Sequence, residues 1–180
     1  MRYGAVLADP PWTFATYSDK GKGRSAENHY NCMSFSDIVQ IGSEWLIKSC
    51  NDDCVLFLWT TDPMLERAFE IIKAWGFHYK TVAFTWAKTD VSRQKFPIGC
   101  GYWTRSNPEQ CLLATRGKPK RLHADVRQLV VAPRREHSRK PDEIHERIER
   151  LVAGPYLELF GRQRRSGWTT WGDEPEKFGA

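Results

Sequence analysis

Short apolar runs alternate with stretches of helical period along this chain, and that alternation limits its fold more than any other feature. "YGAVLA" (3–8), "CVLFLWTT" (54–61), "YKTVAFTWAK" (79–88), "EQCLLATRG" (109–117), "LVVAP" (129–133), "YLELFGR" (156–162) and "GWTTWGDE" (167–174) read as strands. Helices fall between them. One opens at Ser34, where "SFSD" sets an acid three residues after a serine, and Ile38, Ile41 and Trp45 follow at helical spacing. A second opens at Asp62 and Pro63, carries Leu65, Ala68, Phe69 and Ile72 on one stripe, and stops at Gly76. A third starts at Pro141, places Ile144, Ile148 and Leu151 on one face, and stops at Gly154. Strands apolar on both faces, alternating with helices, predict an α/β layered domain with a largely parallel sheet. The 180 residues suit a single domain spanning 1–180. Ligands in such sheets bind at strand carboxyl ends, where Asp9, Thr61, Phe160 and Asp173 fall.

Charge and cysteine usage narrow the partners. Lys and Arg number 27 against 22 Asp and Glu, a net charge of +5 that fits a polyanion without demanding one. Arg116, Lys118, Lys120 and Arg121 form one basic run; Arg134, Arg135, Arg139, Arg162, Arg164 and Arg165 form others. The five cysteines lack the spacing of a zinc framework, so no metal is expected and the compartment is read as reducing. No signal peptide and no membrane-spanning run is apparent, which predicts a cytoplasmic protein. Residues 13–33 and 89–108 read as loops.

The first strand ends in "ADPPW" (8–12), and this corner carries the chemistry. Asp9 precedes one proline and Pro10 precedes another, so the turn is stiff before anything binds. Neither Pro10 nor Pro11 has an N–H, but each keeps a carbonyl. Asp9 and the Pro10 carbonyl therefore offer acceptors without local donors, as an exocyclic amino group requires. Trp12 offers a flat ring on which a base can stack. Two acceptors gripping both hydrogens of such an amino group favour a pyramidal nitrogen. Its lone pair can then meet an electrophilic methyl, and a fixed carboxylate stabilises the positive charge that grows during attack.

These residues, with "VLFLWTT" (55–61), "RSNPEQCLLATRG" (105–117), "HSRKPDEIHERIERL" (137–151), "LELFGR" (157–162) and "WTTWGDE" (168–174) in that order, resemble the DPPW-type adenine-N6 methyltransferases over nearly the whole chain. That family includes the catalytic subunit of the eukaryotic mRNA adenosine methyltransferase. The resemblance implies a circularly permuted Rossmann-like methyltransferase fold, with the catalytic strand first and the strand that holds S-adenosylmethionine near the end. It assigns catalysis to Asp9, Pro10, Pro11 and Trp12. It assigns the cofactor to Leu7, Ala8, Asp9, Lys140, Phe160, Gly161 and Arg162, with Asp173 and Glu174 meeting its ribose and adenine. Lys140 would reach the cofactor carboxylate, and the glycine would let the backbone approach the ligand. Tyr30 would close over the adenine, and Arg105, Asn107 and Arg116 would hold the nucleic acid. Asp173 and Glu174 depart from the amide pair of many eukaryotic members.

The expected function is transfer of a methyl group to adenine N6 in nucleic acid. DNA comes first, because a compact stand-alone form suggests a bacterial or phage enzyme, and RNA stays open. A non-catalytic nucleic-acid-binding subunit and a cytosine-N4 methyltransferase are the competing readings; the intact Asp9 opposes the first, and Trp12 opposes the second by resemblance. Without a target-recognition domain, loose sequence demands, a preference for single-stranded or distorted substrate, or help from a second copy or partner subunit are expected.

Overall fold

The computed structural model describes residues 1–12, 33–99, 101–136, 139–172 and 176–177. Its strands are β1 (Tyr3–Ala8), β2 (Cys50–Thr60), β3 (His78–Thr89), β4 (Glu109–Arg116), β5 (Leu129–Pro133), β6 (Tyr156–Leu159) and β7 (Trp168–Trp171). They form one sheet in the order β5-β3-β4-β2-β1-β6-β7. β1 pairs parallel with β2 on one side and with β6 on the other. β6 with β7, and β3 with β5, are also parallel. β4 runs antiparallel to both of its neighbours. The largely parallel sheet is therefore present with one reversed strand, and that reversal matters for the site.

Helix positions follow the local chemistry. Ser34 caps α1 (Phe35–Ile41), its Oγ accepting the Asp37 N–H at 3.2 Å. The chain continues through a π-helical turn, Gly42–Leu46, into the short α2 (Ile47–Ser49). Gly42 lies so close to the Trp75 indole that a Cβ there would stand 1.7 Å from Cδ1. The indole is fixed by a 3.1 Å bond from Nε1 to the Ile38 carbonyl. A 3-10 turn, Asp62–Met64, leads into α3 (Leu65–Ala74), so Asp62 begins that turn and does not cap it. Gly76, at φ +76°, ends the segment in the left-handed region. α4 (Glu143–Leu151) begins two residues after Pro141 and is followed by Val152 as its cap, three residues before Pro155.

Strand alternation divides the core into two layers. Val6, Ala8, Leu56, Leu58, Leu157 and Leu159 pack with Ile38, Ala68, Ile71 and Trp75 on one face. Leu7, Val55, Phe57 and Trp59 pack with Ile144 and Ile148 of α4 on the other. Both faces are covered, which is why β1 and β2 read as near-continuous apolar runs. Full burial of each such Leu or Ile contributes about 1.5–3 kcal/mol. The result is the Rossmann-like layering expected, with the strand bearing the DPPW corner first in the chain and beside the strand that leads into Phe160. Cys50, Cys54 and Cys111 are free and buried. Among the described residues, no helix is long and apolar enough to cross a membrane.

Candidate active site

β1, β2 and β6 run in one direction, so their carboxyl ends meet beside Asp9. A cavity of about 320 Å³ opens there, at the small end of the range for small-molecule sites. Its wall includes Leu7, Asp9, Lys140, Phe160 and Arg162, five of the residues singled out from sequence and far apart along the chain. Phe160 has a left-handed backbone, φ +62°, at the end of β6. That conformation is costly for a bulky residue and clusters at functional sites. Its ring meets Trp171 edge-on at 5.7 Å.

The charged centre is a chain of four side chains. Lys140 Nζ donates to Asp9 Oδ2 at 2.7 Å and lies 3.3 Å from Glu109 Oε2. Glu109 also pairs with Lys88. Lys140 stands 5.3 Å from the centre of the Trp59 ring, and Lys88 is at the same distance from Trp86. Burial pushes the Glu109 carboxyl up, but the charges of Lys140 and Lys88 and their hydrogen bonds outweigh it, so the group sits below the ordinary carboxylate range. Cys111, behind this centre, is pushed well up by burial and by the Asp9 charge, with Lys140 opposing, and so stays an inert thiol.

Glu109 and Lys88 have no place in the sequence reading. β4 is reversed, so its amino end, where Glu109 sits, lies at the same edge of the sheet as the carboxyl ends of β1, β2 and β3; Gln110 pairs with Thr60 and Glu109 with Trp86. The signal was an acid opening an otherwise apolar strand. Glu158 was also missed. It points from β6 into the cavity and meets His145 of α4, with Nε2 to Oε2 at 3.0 Å.

Several expected placements are corrected. Trp12 is buried, 5% exposed, within the core, and its indole donates to the Trp59 carbonyl at 3.3 Å, so it braces the corner and offers no open stacking face. The Pro10 carbonyl already accepts the Trp12 N–H at 2.8 Å, and the Pro11 carbonyl accepts the Met33 N–H at 3.1 Å. The corner thus spends acceptor capacity on its own backbone. Ala8 faces the opposite layer from Leu7, as strand alternation requires. Gly161 answers to packing: a Cβ there would meet Thr170 Cγ2 at 2.4 Å. Lys140, which lines the cavity, pairs with Asp9 and Glu109.

The nucleic-acid residues divide in the same way. Asn107 accepts the Lys88 N–H through Oδ1, and its Nδ2 donates to the Lys88 and Pro97 carbonyls, so it clips the loop to β3. Arg116 lies at the opposite end of the sheet, because β4 is reversed; its partner there is the Ile47 carbonyl at 2.8 Å. Arg105 is exposed on the loop at the cavity end, beside Trp103, which is 93% exposed. Tyr30, Asp173 and Glu174 lie outside the described residues.

Comparison with known proteins identifies the family. The MT-A70 family profile matches residues 3–174. The chain is 31% identical to a type II methyltransferase, M.MunI, of Mycoplasma sp, covering 96% of this chain and 78% of that protein. It is 31% identical to an N(6)-adenosine-methyltransferase MT-A70-like protein of Drosophila melanogaster, covering 96% and 27% respectively. It is 30% identical to the N(6)-adenosine-methyltransferase catalytic subunit METTL3 of Homo sapiens, covering 96% and 28%. The chain thus spans most of the Mycoplasma protein and about a quarter of the two animal ones. The order of the DPPW corner, the Lys140 segment and the Phe160 segment is explained by descent: this chain belongs to the MT-A70 family, a family of methyltransferases.

Proposed function

We propose that the chain transfers a methyl group from S-adenosylmethionine to the N6 amino group of adenine in nucleic acid, within a single domain of residues 1–180. The observation that carries this is the position of the Asp9 carboxylate, held by Lys140 at the mouth of the cavity that Phe160 and Arg162 also line. DNA stands first, since the chain covers most of the type II methyltransferase and about a quarter of the relatives named for adenosine. RNA stands second. Cytoplasmic residence accompanies this reading, as does assistance from a second copy or a partner subunit in gripping the substrate.

The cavity suits the cofactor. Trp59 lines it, and its indole N–H is buried with no hydrogen-bond partner among the described residues. Glu158 supplies acceptors for the cofactor's hydroxyl and ammonium hydrogens, and Arg162 supplies a donor. Bound there, S-adenosylmethionine supplies an electrophilic methyl on a sulfonium centre.

The residues of the chain do the rest. Lys140 takes one oxygen of Asp9 and fixes the plane of the carboxylate. The other oxygen accepts an N–H of the adenine amino group, so the nitrogen lone pair is directed away from the ring plane. As positive charge builds on that nitrogen, the carboxylate stabilises it without reorganising. The proton is acidic once the carbon has arrived, and it leaves by the same Asp9 oxygen. Glu109 balances Lys140, so that Asp9 need not neutralise the lysine alone. The bracing of Trp12 against Trp59 keeps the corner from rotating. Exposed Tyr102, Trp103 and Arg105 supply aromatic faces and a cation beside the mouth for bases and phosphates.

The test is methyl transfer to matched single- and double-stranded DNA and RNA oligonucleotides, with the modified base identified by mass spectrometry. N6-methyladenine in DNA, abolished by Asp9→Ala while S-adenosylhomocysteine affinity changes by less than about threefold, is the expected result. A modified cytosine, or equal loss of both properties in the variant, refutes the assignment.

A further inference from the structure

Of the side chains around the cavity, the His145–Glu158 pair is used neither by the DPPW corner nor by the lysine–glutamate chain. Both residues line the cavity, and their side chains are 15% and 19% exposed. The imidazole is fixed from outside the cavity. It stands edge-on to Trp168 at 4.9 Å, Trp168 stacks on Tyr156 at 4.9 Å, and the Trp168 indole donates to Glu149 at 2.7 Å. Glu158 is confined on its other side, where a Cβ on Gly161 would stand 3.2 Å from its Cγ.

An ionised carboxylate only accepts, so the hydrogen of the 3.0 Å contact belongs to Nε2. Nδ1 is buried and without a hydrogen-bond partner among the described residues, so the contact to Glu158 is the one that orients the ring. A glutamate held at one oxygen has less rotamer freedom left to lose when a ligand takes the other.

We infer that His145 is a positioning residue for the cofactor: it holds Oε2 of Glu158 and so aims Oε1 at a hydrogen-bond donor of S-adenosylmethionine. The inference rests on the proposal that this cavity takes that cofactor. His145 touches Glu158, not the reacting atoms, so its effect falls on cofactor binding and not on the methyl-transfer step.

The experiment compares wild type, His145→Phe, His145→Gln and Glu158→Gln. Affinity for S-adenosylhomocysteine is read by titration calorimetry, and KM for S-adenosylmethionine and kcat by steady-state kinetics. Phenylalanine keeps the ring against Trp168 and removes both nitrogens. Glutamine loses the ring but places an N–H at about the position of Nε2. His145→Phe should weaken binding about tenfold, the scale of one hydrogen bond to a charged acceptor. KM should rise by the same factor, and kcat at saturating cofactor should stay within twofold. His145→Gln should recover most of the affinity. Unchanged affinity in His145→Phe, a glutamine variant as weak as the phenylalanine one, or a fall in kcat at constant KM overturns the inference. Should His145→Phe show no cooperative melt, the comparison of His145→Gln (near wild type) with Glu158→Gln (about tenfold weaker) decides, and equal affinities overturn it. Wild-type protein that binds no S-adenosylhomocysteine overturns the underlying reading as well; wild-type binding with unaffected variants overturns this inference alone.

Discussion

Glu109→Gln probes the charged centre with almost no change in volume. Glu109 is 12% exposed and lies between two ammonium groups, with Lys140 at 3.3 Å. At that separation the gross attraction is about 5 kcal/mol for an effective dielectric near 20. Desolvation of the carboxylate takes back much of it. Removing one partner of a buried pair nevertheless costs about 3–5 kcal/mol, because the other charges stay buried. Here Asp9 and Glu109 balance Lys88 and Lys140, and the variant leaves a net charge of +1 in the centre. For a domain of this size that cost lowers Tm by roughly 6–20 °C at pH 7. The pH dependence has a definite sign. Burial raises the Glu109 carboxyl, the two lysines outweigh burial, and the net folded value is depressed. A depressed carboxyl contributes stability that is fully present above its unfolded pKa, about 4.3, and is lost as pH falls through the folded value. Protonated Glu109 and glutamine are near equivalents, so the two melting curves should converge in acid. Differential scanning calorimetry of both proteins from pH 3 to 8 measures this. A Tm gap under about 2 °C at pH 7, or the same gap at pH 3 as at pH 7, refutes the argument.

Arg116→Ala should leave nucleic-acid affinity and its salt slope unchanged, because the side chain is at the far end of the sheet; a filter-binding series across salt concentrations checks this. Its cost is one hydrogen bond to the Ile47 carbonyl, about 1 kcal/mol of stability by urea titration, and a slope reduced by one unit contradicts the placement. Gly42→Ala drives a Cβ to within 1.7 Å of the Trp75 ring and should destabilise by at least about 1–3 kcal/mol, read as a lower denaturant midpoint. A variant as stable as wild type would mean that Trp75 is not seated on this turn.

The reversed direction of β4 explains both a residue that sequence reasoning missed and one it misplaced. Hydrophobic periodicity places a strand but says nothing of its direction, because parallel and antiparallel strands share the same period of two. "EQCLLATRG" was therefore located well, at Glu109–Arg116, but its direction was not. Arg116, taken from the resemblance and a basic run, therefore stands at the far end, and Glu109 stands at the site. Trp12 failed for a different reason. Nothing local says whether an aromatic after a stiff turn faces in or out, and the group that decides it, the Trp59 carbonyl, is 47 residues away. Asp9, Lys140, Phe160 and Arg162 were legible because each sits in a motif whose order along the chain identifies the family, and a shared cavity lining is what that order requires. Glu158 and His145 belong to the same motifs, but a glutamate in a strand and a histidine in an amphipathic helix read as solvated positions until β6 and α4 are packed together. What the sequence carried was therefore the family and a set of residues that the fold gathers around one cavity. The balance of charge around it is a tertiary property, set by which end of β4 arrives there.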